Sequence, residues 1–216
     1  MQKNPAHSRF PSLEALPALA LPKQAPQALA SDELCFALWD KYAMPGNIRE
    51  HSLLVAKIAA ALATRGQDLG LAINVDLVRQ SALLHDLGKA YSLAYGGSHS
   101  MLGAGWVVAE TGNYALAQGV LHHVHWPWPL PCGSQVCSLP LIVLYADKRA
   151  KHDQCVTLDE RASDLLERYG HDQEARETMM RVFAEIKTLE QALADCLKWE
   201  NLYADTFDSR GLVNRR

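Results

Sequence analysis

From Ser31 onward, apolar residues recur every three or four positions between short breakers, which is the period of helices that each bury one face. Ser31 and Asp32 open a first helix that runs to about Tyr42 and is ended by Pro45-Gly46. Asn47 is a good N-cap for a second helix, in which Leu54, Val55, Ile58 and Leu62 share a face with His51 before Gly66. Asn74 caps a third, predicted from Val75 to about Leu87, where Val78, Ser81, Ala82 and His85 form one stripe and Gly88 supplies the stop. The stretch AYSLAYGGS reads as a connection. Ser98 restarts helix near His99, Leu102, Trp106 and Val107, Gly112 breaks it, and a short helix follows from about Asn113 to His123.

VHWPWPLPCGSQVCSLP, with four prolines, reads as a long irregular loop of the kind that forms a lid or a binding wall. Helix resumes at about Leu139 and carries Val143, Ala146 and Asp147. Two amphipathic stretches, about Leu158 to Tyr169 and Gln173 to Tyr203, complete the pattern. There is no internal repeat and no convincing alternating strand. The expected fold class is all-α.

Residues 1–30 carry five prolines and no sustained period, so they read as an extended arm without chemistry. The expected organisation is that arm followed by a single helical domain over 31–216, with a core at about 45–150 and C-terminal helices at 157–205. Across 216 residues, 21 Lys and Arg stand against 24 Asp and Glu, a net charge of -3. That balance provides no basic field for coating double-stranded nucleic acid or a membrane surface. No run of about 18 apolar residues occurs and residues 1–30 lack the order of a signal peptide, so the expected location is cytoplasmic. Five scattered cysteines without a C-x-x-C pair argue for reduced thiols rather than a disulfide framework or a zinc ribbon.

Six of the nine histidines, His51, His85, His99, His122, His123 and His125, lie between 51 and 125. His51 and His85 point along apolar stripes, where an imidazole must find a partner or lose its hydrogen bonds to water, and a metal is one such partner. In SALLHDLGK, His85 and Asp86 are adjacent at the end of an apolar helix and project about 100° apart, so both can reach one ion beside that helix. Asp86 has two oxygens and can bridge to a second ion.

His51, then His85-Asp86, then Asp147 in LIVLYADKRAKHD resembles the H...HD...D signature of the HD superfamily of metal-dependent phosphohydrolases, over about residues 45–150. PGNIREHSLLVAKIAA around His51 and YADKR at Asp147 strengthen the likeness. The resemblance implies an HD-domain helical bundle in which His51, His85, Asp86 and Asp147 hold a divalent metal. Binuclear members add histidines between the HD pair and the last Asp, and this chain has His99 in SHSMLGAGW and His122-His123 in QGVLHHVHW. By that likeness Asp86 bridges two ions, and His99 with one or both of His122 and His123 completes the second site. The mixed N/O donor set favours iron or manganese, with magnesium, nickel, cobalt or zinc also compatible. No GYP follows the histidine pair, and His99 stands 13 residues after Asp86, which separates the chain from the HD-GYP pattern and its cyclic dinucleotide substrate.

The implied activity is hydrolysis of a small phosphate ester, a nucleotide or dinucleotide, by metal-activated water, with Asp86 and Lys89 as catalytic residues. Lys89 either pairs with a substrate phosphate or serves as a helix-end cation. Lys148 and Arg149 are further phosphate-pairing options, although their position suits solvated cations better. Trp126, with Trp128, can stack on a base or roof the pocket, or simply pack the loop. His125 and His152 have no helical phase argument and are left outside the site. Two alternatives stand beside the hydrolase: a diiron oxygenase on an HD fold, and a non-catalytic HD binding or signalling module. A homodimer through the C-terminal helices is left open.

Overall fold

The computed structural model describes residues 31–152 and 154–199. The expected N-terminal arm and the end of the last expected helix lie outside those residues. The order is α1 (Asp32–Lys41), α2 (Gly46–Asp68), α3 (Val75–Leu84), α4 (Lys89–Tyr95), α5 (His99–Thr111), α6 (Tyr114–His122), α7 (Leu139–Lys148), a hairpin of β1 (Ala150–Lys151) and β2 (Gln154–Cys155), α8 (Leu158–Tyr169) and α9 (Gln173–Leu197). The architecture is all-α, with those two short strands as its one addition among the described residues. No described helix is long and apolar enough to cross a membrane.

Local chemistry sets most boundaries. Ser31, Asn74, Ser98, Asn113, Thr157 and Asp172 each accept a backbone N–H of the first turn they precede, which satisfies one of the donors a helix start leaves orphaned. Gly112, in the left-handed region at φ 65°, ends α5.

Four details differ from the sequence pattern. Helix α2 begins at Gly46 with Pro45 in the capping position, because the fixed φ of proline suits helix entry, and Asn47 therefore sits in the first turn. Helix α3 ends at Leu84, so His85 and Asp86 fall in the turn that follows. AYSLAY is helix α4, ended where Gly96 and Gly97 take positive φ. The hairpin turns at His152, whose φ is 55°, and pairs Ala150 with Cys155.

Helix α3 packs on α2 and α6, α6 packs also on α5 and α7, and α7 lies against α2. Their shared core includes Val55, Ile58, Leu62, Leu84, Val107, Leu116, Val120, Leu141 and Leu144. Each such side chain contributes about 1.5–3 kcal/mol on burial. Every residue of α7 from Leu141 to Lys148 is buried, and this helix packs against α2, α3, α6 and α9. Two close approaches draw the functional helices together. A Cβ at Gly88 would lie 2.4 Å from the His99 carbonyl oxygen, and one at Gly119 would lie 2.1 Å from Ser81 Oγ.

The C-terminal helices fold back onto this bundle. Thr157 and Glu160 form a reciprocal capping box at the start of α8. Helix α9 adds Ile186, Leu189 and Leu193 to the core and is fixed to α7 through a buried polar network. In it, Arg149 Nη1 donates to Tyr145 Oη at 2.6 Å and to Glu190 Oε1 at 3.3 Å. Tyr145 Oη also donates to Glu190 Oε1 at 2.6 Å. Arg149 is 1 % exposed, so the solvated or phosphate-pairing position expected for it is replaced by a structural one.

Candidate metal centre

Four helices and the turn after α3 converge on one group of imidazoles and carboxylates. Helix α2 brings His51, whose Nε2 lies 3.0 Å from Asp147 Oδ1 on α7. The turn after α3 brings His85 and Asp86. His85 Nε2 is 3.7 Å from Asp147 Oδ1 and 3.6 Å from Asp86 Oδ2. On the other side, Asp86 Oδ1 lies 3.3 Å from His99 Nε2 and 3.5 Å from His123 Nε2, contributed by α5 and the end of α6. The ring nitrogens of His99 and His123 are 3.0 Å apart.

Within His51, His85 and Asp147, and again within His85, Asp86 and His123, the potential ligand atoms all lie within 4.8 Å of one another. The two groups overlap, and Asp86 turns one oxygen to each side.

A metal fits these residues on the evidence of their hydrogen bonding. His85 Nδ1 donates to the Ala82 carbonyl at 2.7 Å and His123 Nδ1 to the Val120 carbonyl at 2.7 Å. A carbonyl only accepts, so each Nδ1 carries a proton, and in the neutral ring it is the Nε2 lone pair that faces the cluster. His85 Nε2 is fully buried without a hydrogen-bond partner among the described residues, because the neighbouring carboxylate oxygens stand too far off. Such an orphan is costly unless something coordinates it.

The electrostatics of the cluster follow from crowding. Burial works against both carboxylates, yet His85, His123 and Lys89 hold Asp86 well below the usual carboxylate range, and Lys148, His51 and His85 do the same for Asp147. Burial and the neighbouring His123 and Lys89 push the His99 imidazole down to about 4. Burial also lowers His123, whereas for His85 the two carboxylates overcome burial and raise it. Lys89 Nζ lies 3.3 Å from both oxygens of Asp86, and Lys148 Nζ donates to Asp147 Oδ2 at 2.6 Å and to the His123 carbonyl at 3.0 Å.

The cluster forms the floor of a cavity of about 450 Å³. His51, Asp86, Lys89, His99, His123 and Asp147 all line it. His85 lies behind them, fully buried. Three residues singled out from the sequence are not brought to it. The His122 ring packs edge-on against Trp126 and Trp128, at 5.4 and 5.1 Å between centroids, because consecutive residues at a helix end project in different directions. Trp126 thus packs its own loop, as one of its two sequence readings has it, and Arg149 is committed to Glu190.

The cavity wall also holds Lys148, weighed from the sequence as a phosphate-pairing option, and residues the sequence pattern left aside. Asn47 lines it, as do His152, Arg161 and Arg168. Asn47 precedes His51 by one turn and shares its face, which was a readable signal. Arg161 and Arg168 are spaced for a common face of α8, but nothing local tells which way that face turns. His152 depends on the hairpin, for which there was no pattern.

An all-α bundle that gathers His51, His85-Asp86 and Asp147 around one point defines a class of metal-binding helical domains. The HD domain profile matches residues 48–179, and the chain belongs to the HD domain family. That family is one of metal-dependent phosphohydrolases, and divalent-metal binding goes with it. Among curated proteins, the chain is similar to "Ribonuclease Y" of Protochlamydia amoebophila, at 34 % identity over 92 residues, 43 % of this chain and 17 % of that protein. It is 46 % identical over 57 residues to "Ribonuclease Y" of Petrotoga mobilis, 26 % of this chain and 10 % of that protein. It is 47 % identical over 58 residues to "Ribonuclease Y" of Fervidobacterium nodosum, 27 % of this chain and 10 % of that protein. The chain therefore spans less than a fifth of the length of these relatives. No solved structure gives a significant match.

Proposed function

We propose that the chain hydrolyses a phosphate ester or anhydride of a nucleotide or dinucleotide. One divalent ion would be held by His51, His85, Asp86 and Asp147, and a second would find its ligands among Asp86, His99 and His123. The observation that supports this most is the division of Asp86, whose two oxygens face separate imidazole groups on the floor of a cavity that also carries Lys89 and Lys148.

When bound, divalent ions supply a water of lowered pKa and compensation for charge on the phosphoryl oxygens. The chain's own residues prepare the rest. The Ala82 and Val120 carbonyls hold the His85 and His123 rings in the ligating tautomer, so little reorganisation is needed when the cluster is filled. Lys148 holds the Asp147 carboxylate in place. Lys89, a third exposed at its side chain, faces the cavity and meets a phosphate oxygen through a charge-assisted hydrogen bond.

The cations close to the HD pair, Lys89 first, favour hydrolysis of a phosphate over the oxygenase alternative, and the full set of ligand types disfavours a module without chemistry. The relatives named "Ribonuclease Y" favour a phosphodiester, so short oligoribonucleotides belong among the substrates tested.

The test is elemental analysis of anaerobically purified protein, followed by a product-release screen over mononucleotides, dinucleoside polyphosphates, cyclic dinucleotides and short oligoribonucleotides. Turnover is expected with a metal-replete protein and is lost, with the metal, in Asp86→Ala. Full activity of metal-depleted Asp86→Ala protein would refute the assignment.

A further inference from the structure

Opposite the metal cluster, the wall of the same cavity is formed by α8, and one carboxylate organises it. Asp164 is 9 % exposed and accepts from Arg161 Nη1 at 2.9 Å and from Arg168 Nη2 at 2.7 Å, with Lys151 Nζ at 3.4 Å from its other oxygen. Three cations surround one anion, and two of them, Arg161 and Arg168, line the cavity.

Arg161 is itself more than nine-tenths buried and lines the cavity, and its Nε has no hydrogen-bond partner among the described residues. Its anion, Asp164, is shared with Arg168 and Lys151, so the charge of the guanidinium is only partly compensated and a further anion at the cavity face would complete it. Arg168 is 41 % exposed at its side chain and reaches the same wall. The planar forks of the two arginines suit the tetrahedral oxygens of a phosphate. The charge along the cavity agrees. Lys89, Lys148, Arg161 and Arg168 line it against the carboxylates of Asp86 and Asp147, and those carboxylates belong to the metal cluster.

We propose that Arg161 and Arg168, positioned by Asp164, form a second phosphate subsite, so that the substrate carries one phosphate to be cleaved at the metal cluster and another that anchors it on α8. A 5′-phosphorylated dinucleotide is the simplest molecule of this class. The proposal rests on the phosphohydrolase reading for the cleaved phosphate, but the anchoring site is a separate set of residues.

The experiment compares the dinucleotides pApA and ApA, which share the internal phosphodiester and differ in the terminal phosphate. Full-length wild type and Arg168→Gln are measured with metal. Inorganic pyrophosphate binding to the metal-stripped full chain is followed by calorimetry. Wild type is expected to prefer pApA in kcat/KM, and Arg168→Gln to reduce that preference by about tenfold or more through the KM for pApA, the loss appropriate to a charged hydrogen bond. Pyrophosphate binding should weaken in parallel. Arg161→Lys, which keeps the charge and loses the fork, is the second variant and should give the same direction of change, with melting curves checking that both variants fold. An unchanged preference for pApA in Arg168→Gln, or equal pyrophosphate binding by wild type and variant, would overturn the subsite. If wild type cleaves neither dinucleotide, the hydrolase reading on such substrates fails by itself, and pyrophosphate binding still decides the anchoring site.

Discussion

Gly88→Ala probes how tightly the second half of the metal cluster is held. Gly88 has φ -80° and ψ -3°, a conformation alanine adopts without strain, so any penalty comes from space alone. The added Cβ would lie 2.4 Å from the His99 carbonyl oxygen and 2.9 Å from Gly103 N. Both are backbone atoms of α5, and no rotamer change relieves the clash. Overpacking of this kind costs about 1–3 kcal/mol, while the loss of unfolded-state freedom on replacing glycine returns about 0.4–1 kcal/mol. The expected net is a destabilisation of about 1–2 kcal/mol, or a fall in Tm of roughly 2–8 °C for a chain of this size. The first turn of α5 must shift to make room, carrying His99 away from Asp86 Oδ1, now 3.3 Å from its Nε2. Metal content per chain should therefore fall together with stability. Gly105→Ala, on the same helix with nothing within 4 Å of its added Cβ, is the matched control and should gain about 0.5–1 kcal/mol from helix propensity. Urea melts and elemental analysis of the two variants decide the matter. If Gly88→Ala is as stable and as metal-rich as Gly105→Ala, the close approach does not position His99 and the reasoning is refuted.

Arg149→Met should cost about 3 kcal/mol or more, because it leaves the buried Glu190 without its cation. KM for a phosphorylated substrate should stay near wild type, and a well-folded Arg149→Met protein with impaired binding would return Arg149 to the substrate. Thr157→Ala removes the capping box of α8 and should lower stability by about 1 kcal/mol in a denaturant melt, with no change meaning that α8 is held by tertiary contacts alone. Burial pushes the Asp164 carboxyl up, but Arg168, Lys151 and Arg161 outweigh it and hold the pKa below the ordinary aspartate value. A depressed folded pKa gives stability that is present above the unfolded value and lost as pH falls through the folded one. The advantage of wild type over Asp164→Asn should therefore be complete above about pH 5 and shrink below about pH 4. An advantage that stays level down to about pH 2 would show that the carboxylate charge is not what holds the two arginines.

The helical pattern was legible because its determinants are local. Period, caps and breakers fixed the all-α class and most helix starts, and the same periodicity put His51 on the buried face of α2 and Asp147 on α7. The spacing of the histidines and of the HD pair suggested a shared cation, and the structure brings His51, His85, Asp86, His99, His123 and Asp147 together. Local pattern was weakest where a residue had two plausible neighbours. His122 and His123 are adjacent, and only the packing of α6 turned one toward Asp86 and the other toward the tryptophans.

By itself, then, the sequence determined the helices other than α4, the family resemblance and the chemical types available for holding a divalent ion, since these depend on short-range periodicity and donor identity. Tertiary structure decided which side chains share a space. It buried Arg149 against Glu190, 41 residues away, and turned Arg161 and Arg168 of α8 into the cavity. Those outcomes depend on how α9 folds back on α7 and carries α8 with it, long-range contacts that no local window contains.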